Sequence, residues 1–254
     1  MASFDWSAYV ADFHRDHPGI TEAALRHARH PVHGTAYEWL ASAVPDPAGD
    51  VLDLASGSCP MQEHLNARGY IAVDASPAEA AAATASGRGP VRVGDVTDLE
   101  LPDACVDTVV MSMALMLVPV RRTLAQVARV LRPGGTFAAM VPTWWPLHAR
   151  DLPSIAVLSL ALRGPGSMPQ QLSGRRLSAE LGRAGLTVVS VARERFPFAV
   201  STREDAQLAV ASLYTPGRSP AQLRRAETWL ARLPGRVELP VPLMRIAGTR
   251  PTSA

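Results

Sequence analysis

The sequence contains no lysine, and all 25 of its basic residues are arginine. Schiff-base catalysis needs a lysine amine, and the Walker phosphate-binding loop needs a lysine beside the phosphates. Both kinds of chemistry are therefore excluded. The arginines are balanced by 23 acidic residues, which leaves a net charge of +2. We interpret the many arginines, together with abundant alanine, glycine and proline, as the codon usage of a GC-rich genome.

Cysteine is almost absent as well. Cys59 and Cys105 are too few for a disulfide framework or a four-thiolate zinc site. The first residues have neither the basic start nor the apolar core of a secretion signal, and the longest apolar stretch, 109–120, is too short to span a bilayer. Hydrophobic residues make up 47% of the chain, enough for a sizeable core. These features predict a folded, cytoplasmic protein without a membrane segment.

Residues 1–47 are predicted to form a helical N-terminal cap, with breaks at 17–19 and near Pro31. Five of the seven histidines lie in this segment, and His30 and His33 are three residues apart. Metal ligation is open, but no carboxylate or cysteine nearby completes a familiar ligand set. We favour solvated or capping histidines and expect no metal site.

From residue 48 onward, apolar strands alternate with helices. Strands are expected at 51–55, 70–74, 91–95, 106–114, 136–141, 186–192 and 242–248, and helices at 60–68, 76–87, 120–131 and 177–184. This alternation predicts an α/β fold: a Rossmann-like, doubly wound, mostly parallel seven-stranded sheet with helices on both faces. Residues 48–254 would form this domain, with lid insertions at about 143–176 and 201–236.

The second insertion contains two capping-box patterns, which begin at Ser201 and Ser219. A stripe at helical spacing follows the second pattern and is predicted to pack onto the domain. Its members are Leu223, Ala226, Leu230 and Leu233.

Three aspartates end the first three predicted strands. Asp53, Asp74 and Asp95 are 21 residues apart, and a turn of small residues, 55–58, follows the first. Ligands of open α/β sheets bind beyond the carboxyl ends of the strands, so the three carboxylates would meet one ligand. Asp74 can accept from a ribose diol, and Asp95 can accept from an exocyclic amine. The pattern predicts a nucleoside site.

A dinucleotide is the nearest competitor for this site. Its pyrophosphate needs a G-x-G-x-x-G turn, whereas residues 55–60 contain one glycine. Asp53 would repel a phosphate and would attract the positive groups of a sulfonium or amino-acid ligand. Charge therefore argues against NAD.

With these residues in place, segments 51–58, 73–77, 94–96 and 130–136 resemble the class I S-adenosylmethionine (SAM)-dependent methyltransferases. In that family the first acid lies near the methionine amino group, the second binds the ribose hydroxyls, and the third, with its neighbour, flanks the adenine. Backbone after the fourth strand touches the methionine moiety. The resemblance implies SAM as cofactor and, as its binding residues, Asp53, Ala55, Ser56, Gly57, Asp74, Ala75, Asp95, Val96 and Met111.

The turn departs from the family's usual acid-x-Gly-x-Gly-x-Gly pattern at two positions, where this chain has Ala55 and Cys59. Alanine can replace glycine if its φ is negative, with a methyl group then close to the cofactor. Cys59 is expected where the next helix starts.

Methyl transfer needs the acceptor, the methyl carbon and sulfur held in line, and some acceptors also need a base. His148, a few residues beyond the fifth strand, is the first candidate for a base. His14 is the second, because the N-terminal segment could fold over the cofactor. Trp144, Trp145 and residues 155–162 would line an acceptor pocket.

The apolar lid favours a small hydrophobic or aromatic metabolite, of the kind met in secondary metabolism, as the acceptor for O-, N- or C-methylation. No basic stripe with stacking aromatics is present, so a nucleic-acid partner is not expected, nor is a membrane; a homodimer is left open. Two alternatives also remain: a SAM-fold cyclase or pericyclase that does not methylate, and a non-catalytic binding protein.

Overall fold

The computed structural model of the chain describes residues 4–164, 167–233 and 237–252. Its N-terminal segment consists of three short helices and one small hairpin. The helices are α1 (Trp6–Asp16), α2 (Ile20–His27) and α3 (Ala36–Ala41), and the hairpin pairs β1 (Arg29–His30) with β2 (Gly34–Thr35). Both predicted breaks are confirmed, since Gly19 has a φ of 75° and Pro31 lies in the hairpin turn.

A seven-stranded sheet with flanking helices follows, which confirms the predicted fold class. Its strands are β3 (Gly49–Leu54), β4 (Ala67–Asp74), β5 (Val91–Val93), β6 (Val106–Ser112), β7 (Leu131–Pro142), β8 (Thr187–Val200) and β9 (Val237–Thr249). The helices are α4 (Pro77–Ala85), α5 (Val120–Val130), α6 (Leu152–Leu162), α7 (Gly174–Arg183), α8 (Arg203–Ala211) and α9 (Pro220–Ala231).

The strand order is β5-β4-β3-β6-β7-β9-β8. The first five strands of this order are parallel, and β9 runs antiparallel to both β7 and β8. From β3 the chain proceeds outward to β4 and β5 and then returns to the other side of β3 at β6. The switch point therefore lies between β3 and β6, where open α/β sheets bind ligands.

Alternate residues of the central strands point to opposite faces of the sheet. On β3, Val51 packs with the N-terminal helices and with α6, α8 and α9, whereas Leu52 packs with α5 and α7. The predicted stripe on α9 packs into the first of these clusters, and its Ala226 and Leu230 are fully buried. That interpretation is confirmed. Among the described residues, no helix is long and apolar enough to cross a membrane.

Two local predictions were wrong. The helix expected at 60–68 is a single 3₁₀ turn, Pro60–Glu63. Ala67 already pairs with Gly49 at the start of β4, so a longer helix would remove it from the sheet. The first capping box of the second insertion is also shifted by one residue: Thr202 and Asp205 cap α8, with the Asp205 carboxylate accepting from the Thr202 backbone N–H at 2.8 Å.

Candidate functional site

One large cavity lies at the carboxyl ends of the parallel strands, and its volume is about 1180 Å³. Residues of α1 and α2 cover one side of it, and residues of α6, α8 and β9 cover another. The turn after β3 and the ends of β4 and β6 form its floor. The predicted location of the site at this edge of the sheet agrees with this geometry.

The turn after β3 is held directly against the end of β4. The backbone N–H of Gly57 donates to one oxygen of Asp74 at 2.8 Å, and the N–H of Ser76 donates to the other at 2.8 Å. Burial raises the pKa of Asp74 and the Glu79 charge adds to this, although the two N–H donors act in the opposite direction. Asp74 thus fixes the turn while its carboxylate faces the cavity.

Ala55 does not have the negative φ at which alanine replaces glycine without strain. Ala55 has a φ of 50°, and Cys59 has a φ of 61°. The chain must reverse at once after β3 to bring Gly57 to Asp74, and left-handed backbone provides that reversal. A side chain in this conformation costs roughly 1–2 kcal/mol, so the turn adopts at two positions a backbone that suits glycine although neither residue is one.

Seven of the nine predicted cofactor residues line the cavity: Ala55, Ser56, Gly57, Asp74, Ala75, Asp95 and Val96. Asp53 and Met111 are not among the lining residues. Met111 points into the core on the α5 face, and Ser112, Met113 and Ala114 line the cavity after β6 instead. The sequence pattern located the end of the strand correctly. Met111, however, is one residue before Ser112, so its side chain points to the opposite face of the sheet.

Asp53 is fully buried two residues before Ala55. The Tyr70 hydroxyl donates to its Oδ2 at 2.8 Å, and its Oδ1 has no hydrogen-bond partner among the residues that the structure describes. Burial raises the pKa of Asp53 to about 7, against the Tyr70 hydrogen bond, and the Asp74 charge raises it further. An unpartnered buried acceptor of this kind favours the binding of a hydrogen-bond donor or a positively charged group beside the turn.

His148 is exposed and does not line the cavity. Its backbone N–H donates to Asp151 at 2.8 Å, and buried Asp151 forms an ion pair with buried Arg195 of β8 at 2.5 Å. These contacts hold the segment after β7 against the sheet with the His148 side chain outward. The assignment of His148 as a base therefore stays a prediction with no contact in the cavity.

His14, the second candidate, does line the cavity. Its Nδ1 lies 2.8 Å from the carboxylate of Glu79, and its Nε2 lies 3.0 Å from the Tyr214 hydroxyl. Glu79 is buried and also accepts from the Gly19 N–H at 3.0 Å. Sequence reasoning found His14 because the N-terminal segment could fold over the cofactor, but nothing in the sequence indicated that Glu79 and Tyr214 would meet it.

A second contact joins the N-terminal helices to the turn. Glu22 of α2 accepts from the Ser58 hydroxyl at 2.5 Å and pairs with Arg88 at 2.6 Å. Burial acts to raise the pKa of Glu22, but hydrogen bonds from Arg88, Ser58 and Arg26 outweigh it, so the pKa lies below its ordinary value. Glu22 therefore anchors α2 beside the turn. Its carboxylate is ionised, and its charge is already balanced by the neighbouring arginines.

The residues that line the cavity divide along the sequence into two chemically different sets. The half beside the turn, defined by the lining residues up to 118, contains Glu22, Asp74, Glu79 and Asp95 with Arg15 and His14. The half formed by the later lining residues, 142–242, contains among the described residues no Asp, Glu, His, Arg or Cys side chain. We call these the cofactor half and the acceptor half. Tyr214 is the acceptor half's one titratable side chain within the described residues.

The predicted apolar lid is only partly present in that acceptor half. Trp144, Ile155 and Leu158 line the cavity, whereas Trp145 does not line it and is 65% exposed.

The cofactor half fits a ligand with positive and hydroxyl groups better than a phosphate. Its carboxylates outnumber its cationic side chains, and the Ser56 hydroxyl in its turn has no partner in the described part of the chain. Asp74 could take a ribose diol, and Asp95 and Val96, which also line the cavity, could flank a base. The residues present therefore fit SAM, whose sulfonium and ammonium groups are attracted by the acidic side chains.

His30 and His33 meet Glu194, a carboxylate that sequence reasoning missed because it lies on β8. The rings of the two histidines are stacked, and their Nε2 atoms lie 3.7 and 3.5 Å from the Glu194 carboxylate. His30 Nδ1 accepts from the backbone N–H groups of Val32 and His33. In neutral His30 the proton is therefore on Nε2, which leaves no lone pair there for a metal. The predicted capping role fits His30.

Comparison with known proteins agrees with this geometry. Residues 52–139 match a family model described as a methyltransferase domain. Residues 52–139 therefore form a methyltransferase domain of the class I SAM-dependent type. SAM is the cofactor of this domain. No curated protein matches the sequence.

Solved structures resemble the methyltransferase over most of its length. One, from a complex between the Haloferax volcanii Trm112 methyltransferase activator and a methyltransferase, has a TM-score of 0.60 at 20% identity and covers 96% of this chain and 99% of that chain. Geranyl diphosphate C-methyltransferase from Streptomyces coelicolor A3(2) has a TM-score of 0.54 at 13% identity and covers 98% and 100%. The cyclase SpnF has a TM-score of 0.56 at 16% identity and covers 85% and 81%. At these identities the likeness establishes the fold.

Proposed function

We propose that this methyltransferase transfers the methyl group of SAM to a small, uncharged, hydrophobic or aromatic metabolite. The observation that carries the proposal is the division of one cavity into an acidic cofactor half and an uncharged acceptor half. The two halves are continuous, so a cofactor in one and an acceptor in the other would meet without crossing solvent.

The size of the cavity supports two ligands. Its 1180 Å³ exceed the roughly 300–1,000 Å³ typical of a pocket for one drug-sized molecule. A nucleoside cofactor at the turn would leave room for an acceptor beside Phe198, Leu213 and Leu239, which line the acceptor half.

The chemistry of the acceptor half supports an uncharged molecule. Burying a charged group without a partner is costly, and the described part of this half has no cationic side chain to pair with an anion. A diphosphate such as the ligand of the Streptomyces coelicolor relative would in addition face Asp74, Glu79 and Asp95 across the cavity. The acceptor class of that relative therefore does not transfer to this chain.

SAM supplies an activated methyl group, so the protein's task is to position the acceptor and exclude water. Orientation of this kind contributes about 7–11 kcal/mol in well-aligned systems. In this chain α1 and α6 close the cavity from two sides, and both are anchored, α1 through His14 and the segment before α6 through Asp151.

The test is incubation with trideuteromethyl-labelled SAM and a panel of uncharged phenols, arylamines and terpenoid alcohols, with geranyl diphosphate included. Mass spectrometry should find a labelled product from an uncharged aromatic or apolar acceptor and none from the diphosphate. Methylation of the diphosphate alone would contradict the proposal. A product of unchanged mass formed while SAM is not consumed would favour a cyclase, and SAM binding without any product would favour a binding protein.

A further inference from the structure

We propose that Tyr214, His14 and Glu79 form a proton relay that removes the proton from a hydroxyl acceptor during methyl transfer. The inference rests on the proposed function and narrows its acceptor to a hydroxyl compound. It identifies Tyr214 as the group that touches the acceptor, with His14 and Glu79 acting through it.

The three side chains come from distant parts of the sequence and form one hydrogen-bonded chain inside the cavity. The Glu79 carboxylate, 2% exposed, lies 2.8 Å from His14 Nδ1, and His14 Nε2 lies 3.0 Å from the Tyr214 hydroxyl. A carboxylate can only accept, so the proton of neutral His14 is held on Nδ1. The lone pair of Nε2 then faces the Tyr214 hydroxyl.

Packing fixes this geometry. The Tyr214 ring makes edge contacts with Phe13 and Tyr9 of α1, with ring centroids 4.8 and 6.1 Å apart. The Tyr9 hydroxyl accepts from the Thr215 N–H at 2.8 Å. An oriented imidazole whose far side is held by a buried carboxylate is the arrangement of a general base and its orienting group.

The surroundings of Tyr214 indicate that the relay receives its proton from the acceptor half. Tyr214 is the titratable side chain there within the part of the chain that the structure describes. Burial raises the pKa of the Tyr214 phenol, and the neighbouring Tyr9, Glu79 and Asp74 raise it further. An ionised Tyr214 is therefore disfavoured. When Tyr214 accepts a proton from the acceptor, it must pass its own hydroxyl proton to His14.

The acceptor oxygen forms a bond to the methyl carbon while the carbon–sulfur bond breaks and its electron pair stays on sulfur. The acceptor's O–H proton passes to the Tyr214 oxygen as the Tyr214 proton passes to His14 Nε2. The resulting imidazolium is paired with the Glu79 carboxylate.

The test compares Tyr214→Phe and His14→Gln with the wild type on a series of phenols of graded acidity. Both variants should lose about a hundredfold in kcat on weakly acidic phenols, within the usual contribution of a general base. An ionised nitrophenol should have a raised KM in all three proteins, because the acceptor half has no cationic side chain among the described residues. At saturation, however, the loss of kcat should shrink toward none, because that acceptor has no proton to give. His17→Gln, an exposed histidine outside the cavity, is the matched control and should retain activity on every phenol.

Binding of S-adenosylhomocysteine, followed by calorimetry, separates the relay from a merely structural role. Tyr214→Phe should bind it within about threefold of the wild type. Equal losses of kcat on neutral and ionised phenols, or no loss on either, would overturn the relay while leaving the methyltransferase proposal intact.

A measurement without any acceptor keeps the two proposals distinguishable. Nitrogen-15 spectra of the histidines in the S-adenosylhomocysteine complex, assigned with His14→Gln, should show His14 protonated on Nδ1 and not on Nε2. The opposite tautomer or a doubly protonated ring would overturn the relay. If the wild type methylates no phenol, the proposal that the acceptor is a hydroxyl compound is wrong, whichever tautomer His14 has.

Discussion

Asp53 is the residue whose charge state links the site to the stability of the fold. Burial raises its pKa from an ordinary 3.8 to about 7. The folded protein therefore binds a proton that the unfolded chain releases, and the contribution of Asp53 to stability is full below about pH 4 and lost as the pH rises to about 7. Above that pH the buried, ionised Asp53 lowers the free energy of unfolding, unless a positive ligand group lies nearby.

We predict that Asp53→Asn has opposite effects on stability and binding. At pH 8 the free energy of unfolding should rise by up to a few kcal/mol, since each pKa unit corresponds to about 1.4 kcal/mol, whereas at pH 4 it should hardly change. SAM should nevertheless bind more weakly at pH 8, because the carboxylate charge is gone. Urea unfolding at both pH values and calorimetry measure the two effects. A variant that is less stable at pH 8 would contradict this account.

Ala55 carries a local conflict between residue type and backbone. Its φ of 50° suits glycine, so Ala55→Gly should raise the free energy of unfolding by roughly 0.5–1 kcal/mol. Ala81→Gly, an exposed alanine within α4, is the control and should lower it by about 1 kcal/mol. Urea unfolding reads both. Equal destabilisation by the two changes would show that Ala55 is not strained.

At the scale of elements, the segment before α6 depends on one buried ion pair. Burial acts to raise the pKa of Asp151, but Arg195 and the His148 N–H more than offset it, so the pKa lies below its usual value. Asp151 is fully buried and Arg195 is 5% exposed. Removal of one partner leaves the other charge buried and alone.

We therefore expect Arg195→Met to lower the free energy of unfolding by about 3–5 kcal/mol. The double variant Asp151→Leu with Arg195→Met should recover most of that loss. Arg183→Met, which breaks an exposed pair with Glu180, should change little. Thermal unfolding distinguishes these cases, and a mild effect of Arg195→Met alone would mean that this pair does not hold the segment.

Helix α6 presents one face to the acceptor half and another to solvent. Ile155 lines the cavity, whereas Leu152 is 61% exposed and does not. Ile155→Trp should raise KM for the acceptor about tenfold or more, because the indole occupies its space, without a change in S-adenosylhomocysteine affinity. Leu152→Trp is the control on the same helix. A loss of cofactor affinity in Ile155→Trp would contradict the separation into two halves.

Elements were predictable where composition and spacing act locally. The strands before Asp53, Asp74 and Asp95 are short apolar runs, and a buried parallel sheet is the arrangement that covers them on both faces. The helix expected at 60–68 failed because the pairing of Ala67 with Gly49 is a tertiary contact that outweighs local helix signals. The same limit explains Glu194 and Tyr214, which reach their partners from 160 or more residues away.

For the whole molecule, sequence order and sheet topology together indicated the site. Three aspartates at equal spacing reach one edge only because β3, β4 and β5 are adjacent and parallel. The acceptor half could not be predicted in the same way, since it is assembled from α6, α8 and β9, whose order in the chain says nothing of which side chains face inward.

The central claim is that the strand ends bind SAM through Asp74, and calorimetric titration with SAM and S-adenosylhomocysteine tests it most directly. The wild type should bind both, and Asp74→Ala should lose binding because the ribose acceptor and the anchor of the Gly57 turn both disappear. Asp98→Ala, an exposed aspartate outside the cavity, should bind as the wild type does. If neither ligand binds to the wild type, or if Asp74→Ala binds equally well, the cofactor site is not where the fold and the carboxylates indicate.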